Sequence, residues 1–161
     1  MPVIIRPAEP ADIPAMASIR AQSWETEPYW HNRITRYLGG IHSPQHALAP
    51  RITFVAIDEE RKQELVGFIA GHLTRRYNCD GELQWIDTLE HRRRQGIAST
   101  LLLPLAQWFE QQDALRVCVD PGNDIARSFY RHHGAEPLNQ HWMVWKDIRK
   151  ITAKPTSFER R

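Results

Sequence analysis

The sequence has only two cysteines, Cys79 and Cys118, and they do not form a CxxC pair. It therefore lacks the thiol spacing of a zinc site and the disulfide framework of a small secreted domain. No apolar run approaches the roughly 20 residues that span a bilayer, and no apolar signal segment opens the chain. We expect a cytoplasmic protein without a membrane partner, in which Cys118 is buried and Cys79 lies incidentally in a loop.

A marked excess of charge is also missing. The chain has 21 Lys and Arg against 19 Asp and Glu, a net charge of +2, so no overall field favours a nucleic acid. The eight histidines have no metal-ligand spacing, and no metal site is predicted. A length of 161 residues suits one domain with a substantial core. We assign residues 1–147 to that domain and 148–161 to a polar tail that packs loosely on the surface.

The chain does contain a regular alternation of strand-like and helix-like segments. Apolar, β-rich runs predict strands at 3–6, 52–57, 65–74, 82–89, 116–119 and 142–146. Helical spacing and capping residues predict helices at 12–24, 28–38, 99–112 and 124–133. Strands that mostly pair antiparallel, with helices between and around them, make a mixed α/β (α+β) domain. Pro104 lies inside the third helix and predicts a kink there, or two shorter helices.

The most informative segment is Arg93-Arg94-Gln95-Gly96-Ile97-Ala98, between the strand that ends near Leu89 and the helix that begins near Ser99. A basic turn that contains glycine and precedes a helix presents unpaired backbone N–H groups and the positive end of the helix dipole. Such a turn suits a phosphate group. A solvated basic turn, or a nucleic-acid contact through the arginines at 92–94, is the alternative interpretation.

Three segments, in order, resemble the GCN5-related N-acetyltransferase (GNAT) superfamily. The turn fits R/Q-x-x-G-x-G/A, the family's pyrophosphate-binding signature. The segment NDIARSFYRHHGA at 123–135 resembles its N-x-x-A-x-x-F-Y-x-x-x-G-F block, and IIRPAEPAD at 4–12 resembles its I-R-x-A-x-x-x-D opening. The resemblance implies a mostly antiparallel twisted sheet with a splayed pair of strands, and acetyl-CoA as co-substrate. Arg94 stands where glycine is most common and Glu90 where many members have proline, but neither change removes a backbone donor.

The same resemblance implies which residues contact the cofactor. The backbone of Ile86, Asp87 and Thr88 would bond the pantetheine arm and polarise the thioester carbonyl. Backbone N–H groups of the turn, aided by the arginine side chains, would bind the pyrophosphate. The residues expected there are Arg93, Arg94, Gln95, Gly96, Ile97, Ala98 and Ser99. Asn123 caps the helix that follows it, and it could also bond the pantetheine arm.

Two side chains are candidates for the acid–base chemistry. Strand alternation places Glu82 on one face together with the other even-numbered residues of its strand. Its position is similar to that of the family's general-base glutamate, and a base helps because an alkyl ammonium has a pKa near ~10. Asp87 is the alternative base, and a solvent-facing strand-edge residue is the alternative role for Glu82. Tyr130 resembles the tyrosine that protonates the leaving thiolate, and would otherwise be a core residue beside Phe129.

These features predict an acetyl-CoA-dependent N-acetyltransferase that transfers the acetyl group directly to a primary amine. A covalent intermediate is disfavoured, because no cysteine or serine is placed to form an acyl-enzyme. The near-neutral charge and the aromatic side chains near the helix junction and on the strands mildly favour a small-molecule acceptor. The alternatives are a protein N-terminus or lysine as acceptor, and a non-catalytic acyl-CoA-binding module. Trp142 and Val144 could be core residues or the face of a homodimer.

Overall fold

A seven-stranded sheet forms the centre of the molecule. The computed structural model describes residues 3–153, and within them the strand order is β1-β2-β3-β4-β5-β7-β6. Neighbouring strands are antiparallel except β4 and β5, which are parallel. The mixed α/β class with a mostly antiparallel sheet is therefore confirmed. The strands are β1 (Ile4–Pro7), β2 (Ala47–Asp58), β3 (Glu64–Thr74), β4 (Gly81–Thr88), β5 (Val117–Val119), β6 (Glu136–Pro137) and β7 (Met143–Trp145).

The helices of the described residues are α1 (Ile13–Ala21), α2 (Glu27–Leu38), α3 (Ile97–Gln111), α4 (Asp124–His132) and α5 (Arg149–Thr152). The start of α4 is fixed locally, because the Asn123 side chain accepts a hydrogen bond from the Ala126 N–H at 2.8 Å. Pro104 lies within α3, which continues past it as one helix, so the division into two helices does not occur. Within residues 3–153, no helix is both long and apolar enough to cross a bilayer.

The sheet separates two apolar cores. On one side α1 and α2 pack against it through residues such as Met16 and Tyr37. On the other side α3 and α5 pack against it through Leu105 and Phe109, among others. A Cβ atom on Gly81 would come within 2.5 Å of the Phe109 ring, so glycine is required there for α3 to approach the sheet.

β4 does not alternate regularly, because it contains a bulge at Gln84. Consecutive residues of β3 pair with Leu83 and Trp85, so Gln84 has no partner on β3. A bulge reverses the face on which the following side chains lie. Leu83 accordingly packs on the side of α3, Trp85 on the side of α1 and α2, and Ile86 on the side of α3 again. The single face predicted for Glu82 and the other even-numbered residues is therefore wrong.

β4 and β5 diverge soon after they meet. They pair only between Gly81–Leu83 and Val117–Val119. Beyond this point β4 continues alongside β3 to Thr88, whereas β5 has ended. The predicted splayed pair of strands is confirmed, and the cleft between them opens toward the end of β4 that leads into α3.

The C-terminal segment belongs to the domain as far as residue 153. Ile148, which is 1% exposed, and Ile151 both lie in the core beneath α3. The Ile148 N–H also donates to the Leu115 carbonyl oxygen at 2.7 Å. The predicted loose tail from residue 148 is wrong for this part, because isoleucines three positions apart lie on the same face of a helical turn. The remainder of the predicted tail, 154–161, lies outside the described residues.

Two further expectations about apolar residues are corrected. Cys79 is not incidental to its loop, since it is buried together with Cys118 and Val144. Val144 is therefore a core residue of this chain rather than part of an exposed face. Ile125 on α4, by contrast, is 85% exposed.

Ile148→Ala is expected to lower the free energy of unfolding by about 2–5 kcal/mol, because it deletes buried methyl and methylene groups and leaves a cavity. Ile125→Ala is the matched control, since the same atoms are lost from an exposed site, and its effect should stay within about 0.5 kcal/mol. Equilibrium denaturation in urea measures both. Equal effects of the two substitutions would contradict the packing of the C-terminal segment.

Candidate active site

The turn between β4 and α3 is exposed from Arg93 to Gly96, directly before the first N–H groups of α3. Gly96 precedes the helix with a φ of 82°, a conformation that favours glycine. The N–H groups of Ile97, Ala98 and Ser99 have no intrahelical acceptor, as at the start of any α-helix. A Cβ atom on Gly96 would meet no described atom within 4 Å. The turn therefore has the donors and the space to accept an anion.

Arg94 also adopts a left-handed conformation, with a φ of 66°. For a non-glycine residue this conformation costs about 1–2 kcal/mol, which is a physical reason for glycine to be common at this position. Arg93 and Arg94 are both exposed, and Arg93 Nη2 lies 3.4 Å from Asp87 Oδ1. Two exposed arginines thus belong to the turn that precedes α3.

Arg92 holds the turn against the β2–β3 hairpin. Its side chain is buried, and its guanidinium donates to Asp58 Oδ2 at 2.7 Å and to Glu64 Oε1 at 3.1 Å. Its Nε donates to Gln95 Oε1 in the turn itself at 3.2 Å. This guanidinium holds the pKa of Asp58 below its usual value. The interpretation of residues 92–94 as an exposed basic patch is therefore wrong for Arg92.

The backbone of Ile86 faces the cleft between β4 and β5. The Leu89 N–H donates to the Val66 carbonyl oxygen at 2.9 Å, and hydrogen-bonded pairs alternate along antiparallel strands. Ile86 and Thr88 therefore direct their backbone groups to the other edge, where β5 has ended. The Thr88 N–H is bound by Asp87 Oδ1 at 2.9 Å. The Ile86 N–H and carbonyl are left pointing into the cleft.

Asp87 faces α1, where it pairs with Arg20. Asp87 Oδ2 lies 3.5 Å from Arg20 Nη1. The Arg20 guanidinium lies over the Trp30 ring, with its Cζ 4.4 Å from the ring centroid. Burial raises the pKa of Asp87, and burial lowers the pKa of Arg20. Asp87 is therefore engaged with Arg20, Arg93 and the Thr88 N–H, and it stays the alternative candidate for the base.

Glu82 lies at the closed end of the splayed strands and is only 4% exposed. Its Oε1 accepts a hydrogen bond from Arg76 Nε at 3.0 Å and lies 3.6 Å from His72 Nε2. His72 is fully buried, and its Nδ1 lies 2.9 Å from the Tyr37 hydroxyl. Burial raises the pKa of Tyr37, so this phenol keeps its proton and can donate to His72. The solvent-facing alternative for Glu82 is wrong.

Tyr130 is buried at the open end of the cleft. Its ring packs edge-on against Trp145, with the ring centroids 5.7 Å apart. Burial raises the pKa of Tyr130, Arg20 opposes the shift, and Asp120 and Asp87 add to it. The phenol therefore stays protonated at neutral pH.

The open edge of β4 thus leads into the turn, and α4, which carries Tyr130, meets the start of α3 where Ser99 Oγ lies 3.0 Å from His133 Nε2. Glu82 lies at the other end of β4. Asn123, which caps α4, is exposed on the same helix as Tyr130. Sequence reasoning missed His72 and Arg76 as neighbours of Glu82. His72 did leave a signal, because it is a polar residue within the otherwise apolar run of β3.

Splayed strands thus lie beside a turn that leaves the first N–H groups of α3 without intrahelical acceptors. A model of the acetyltransferase (GNAT) family matches residues 14–135. The chain therefore belongs to the GNAT family of acetyltransferases and is an N-acetyltransferase of this family. Among curated proteins, none matches the chain in sequence.

Solved structures share the fold. PaiA N-acetyltransferase from Thermoplasma acidophilum, in complex with coenzyme A, is 17% identical, with a TM-score of 0.64 over 91% of this chain and 99% of its own. A GCN5-related N-acetyltransferase from Kribbella flavida is 16% identical, with a TM-score of 0.68 over 89% of this chain and 97% of its own. NAA60 from Arabidopsis thaliana, in complex with a bisubstrate analogue, is 15% identical, with a TM-score of 0.68 over 89% of this chain and 97% of its own.

Arg92→Met is expected to lower the midpoint of thermal unfolding by several degrees, because it leaves the buried Asp58 carboxylate without its guanidinium. The folded-state pKa of Asp58 is depressed, so the ion pair stabilises the fold above the ordinary carboxyl pKa of about 4 and is lost in acid. The difference between wild type and variant should therefore shrink as the pH falls below about 4.

Arg94→Met is the matched control, since it removes an exposed arginine from the same turn. It should leave the unfolding midpoint nearly unchanged. Thermal scans of the three proteins between neutral pH and acid measure both effects. If Arg92→Met were as stable as Arg94→Met at neutral pH, Arg92 would not anchor the turn.

Proposed function

We propose that this chain transfers an acetyl group from acetyl-CoA to a primary amine, with both substrates bound at once. The observation that carries the proposal is the meeting of three features at one opening. These are the open turn at the start of α3, the unpaired backbone of Ile86 and the buried phenol of Tyr130. A phosphate-bearing thioester needs all three: the turn binds its phosphate, the Ile86 backbone bonds its extended arm, and the phenol protonates its leaving thiolate.

In this proposal coenzyme A lies along the cleft. The N–H groups of residues 97–99 bind its pyrophosphate, with Arg93 and Arg94 as charged partners and Gln95 and Gly96 shaping the turn. The pantetheine arm follows the end of β4, at Ile86, Asp87 and Thr88, in place of the missing strand, and Asn123 contacts it from α4. The Ile86 N–H is the candidate donor to the thioester oxygen, where negative charge develops during transfer.

The chemistry then needs a base and an acid. Glu82 takes a proton from the acceptor ammonium, directly or through water, and the freed nitrogen attacks the thioester carbon. The carbon–sulfur bond breaks, and the thiolate takes a proton from Tyr130. Tyr130 is available as this donor because its pKa is raised above the ordinary ~10, so the phenol still carries its proton when the thiolate departs. The new amide nitrogen releases its second proton to solvent, and the Tyr130 phenolate takes one back from solvent.

A small-molecule amine is the favoured acceptor. Glu82 is deeply buried, and a thin alkylamine reaches such a carboxylate more readily than a polypeptide backbone does. Aromatic side chains also line the α1–α2 side of β4, where Trp30 lies 6.0 Å from Trp85 between ring centroids. A lysine side chain meets the same steric requirement, so a protein acceptor is the second candidate.

Release of the coenzyme A thiol from acetyl-CoA across a panel of primary amines tests the proposal. We expect acetylation of at least one alkylamine, and at least a tenfold loss of turnover in Glu82→Gln, which keeps the shape of the side chain but cannot accept the proton. A wild-type protein that binds acetyl-CoA but acetylates no amine or peptide would favour the non-catalytic binding module. Equal turnover and pH–rate profiles of wild type and Glu82→Gln would remove Glu82 from the mechanism.

Tyr130→Phe is expected to slow transfer at least tenfold, because the leaving thiolate loses its proton donor. The dissociation constant of acetyl-CoA should change little, since the ring and its packing against Trp145 are kept. Tyr77→Phe is the matched control, in which an exposed phenol is removed and turnover should be retained. Steady-state turnover and calorimetric binding distinguish the two effects. Unchanged turnover in Tyr130→Phe would leave Tyr130 as a core residue only.

A further inference from the structure

The Arg76 side chain occupies a space between Glu82 and Trp142. Its Nε donates to Glu82 Oε1 at 3.0 Å, and its Cζ lies 4.5 Å from the centroid of the Trp142 ring. Its Nη2 donates to the Gln45 carbonyl oxygen at 2.9 Å. A cation is thus held by a carboxylate on one side, an aromatic face on another and a carbonyl oxygen on the third. We call this space the cation box.

The cation box has the chemistry that an alkyl ammonium requires. A carboxylate gives such a cation a charge-assisted hydrogen bond, and an indole face adds a cation–π contact. Trp142 is held in place by Tyr77, whose ring packs against it with centroids 5.6 Å apart. The Arg76 guanidinium therefore occupies a cation-binding site that a substrate ammonium group would also fit.

We propose that Arg76 occupies the binding position of the acceptor's ammonium group, and that a cationic acceptor must displace it from Glu82 before transfer. This inference rests on the proposed function, because it takes Glu82 as the base. While the Arg76 guanidinium lies between Glu82 Oε1, at 3.0 Å, and the Trp142 ring, at 4.5 Å, the acceptor's ammonium cannot occupy the same space. Arg76 cannot act as the base in place of Glu82, because a guanidinium does not lose its proton in proteins.

Displacement of Arg76 does not require the backbone to move. The backbone of its turn is fixed separately, by the Arg76 N–H to Thr74 Oγ1 at 3.1 Å and the Arg75 N–H to the His46 carbonyl oxygen at 3.1 Å. Only side-chain torsions need to change for the guanidinium to leave the cation box. Competition with Arg76 also makes the site selective, because an amine that is charged at neutral pH can replace a guanidinium and a neutral arylamine cannot.

Binding of butylammonium chloride, measured by calorimetry in the absence of acetyl-CoA, tests the cation box directly. Arg76→Gln should bind this probe at least about tenfold more tightly than wild type, since the internal competitor is gone. Arg75→Gln is the matched control, because it removes the neighbouring exposed arginine with the same change of charge, and it should bind like wild type. Adding Glu82→Gln to Arg76→Gln should abolish the gain. Equal affinity of Arg76→Gln and Arg75→Gln would overturn the proposal.

Steady-state kinetics with an alkylamine and an arylamine acceptor tests displacement during transfer. Arg76→Gln should lower KM for the alkylamine about fivefold or more and leave KM for the arylamine unchanged, and Arg76→Lys should behave like wild type. If Arg76→Gln instead lowered kcat for both acceptors and Arg76→Lys restored it, Arg76 would position Glu82, and the proposal would be overturned. If Arg76→Gln bound butylammonium tightly but no form of the protein acetylated any amine, the cation box would stand and the proposed function would fail.

Discussion

Because β5 ends after three residue pairs with β4, the remainder of β4 has one edge without a strand. Unpaired backbone groups inside a fold are costly unless they find another partner. Here the Ile86 N–H and carbonyl open onto a cleft that ends at the start of α3, where further N–H groups lack acceptors. An extended ligand with amide groups and a phosphate, as proposed, would satisfy both sets of backbone groups together.

The bulge at Gln84 is the second determinant of the site. It turns Trp85 and Asp87 toward α1 and α2, the face on which Glu82 also contacts His72. Without the bulge, Trp85 and Glu82 would lie on opposite faces of the sheet. A carboxylate, an aromatic ring and a buried histidine thus come to one side of β4, and the cofactor cleft opens along its edge.

Local signals made part of this structure predictable. The turn at 93–98 and the Asn123 cap were found because a glycine, a capping residue and the helix behind them are contiguous in sequence. The bulge was not predictable, since it depends on how β3 and β4 pair. The roles of Arg92 and Arg76 were missed for the same reason. Arg92 pairs with Asp58, 34 residues away, and Arg76 pairs with Glu82, 6 residues away on another element. Ile148 and Ile151 were assigned to a tail because a single helical turn is too short to show a period.

The separation of the molecule into two cores by one sheet has a consequence for how such a protein can diverge. The proposed cofactor side draws on α3 and α4, whereas the proposed acceptor side draws on α1, α2 and the turn that carries Arg76. Substitutions that lie far apart and share no partner act on stability almost independently. Substitutions around α1 and α2 can therefore alter the proposed acceptor side with little effect on the stability of the proposed cofactor side.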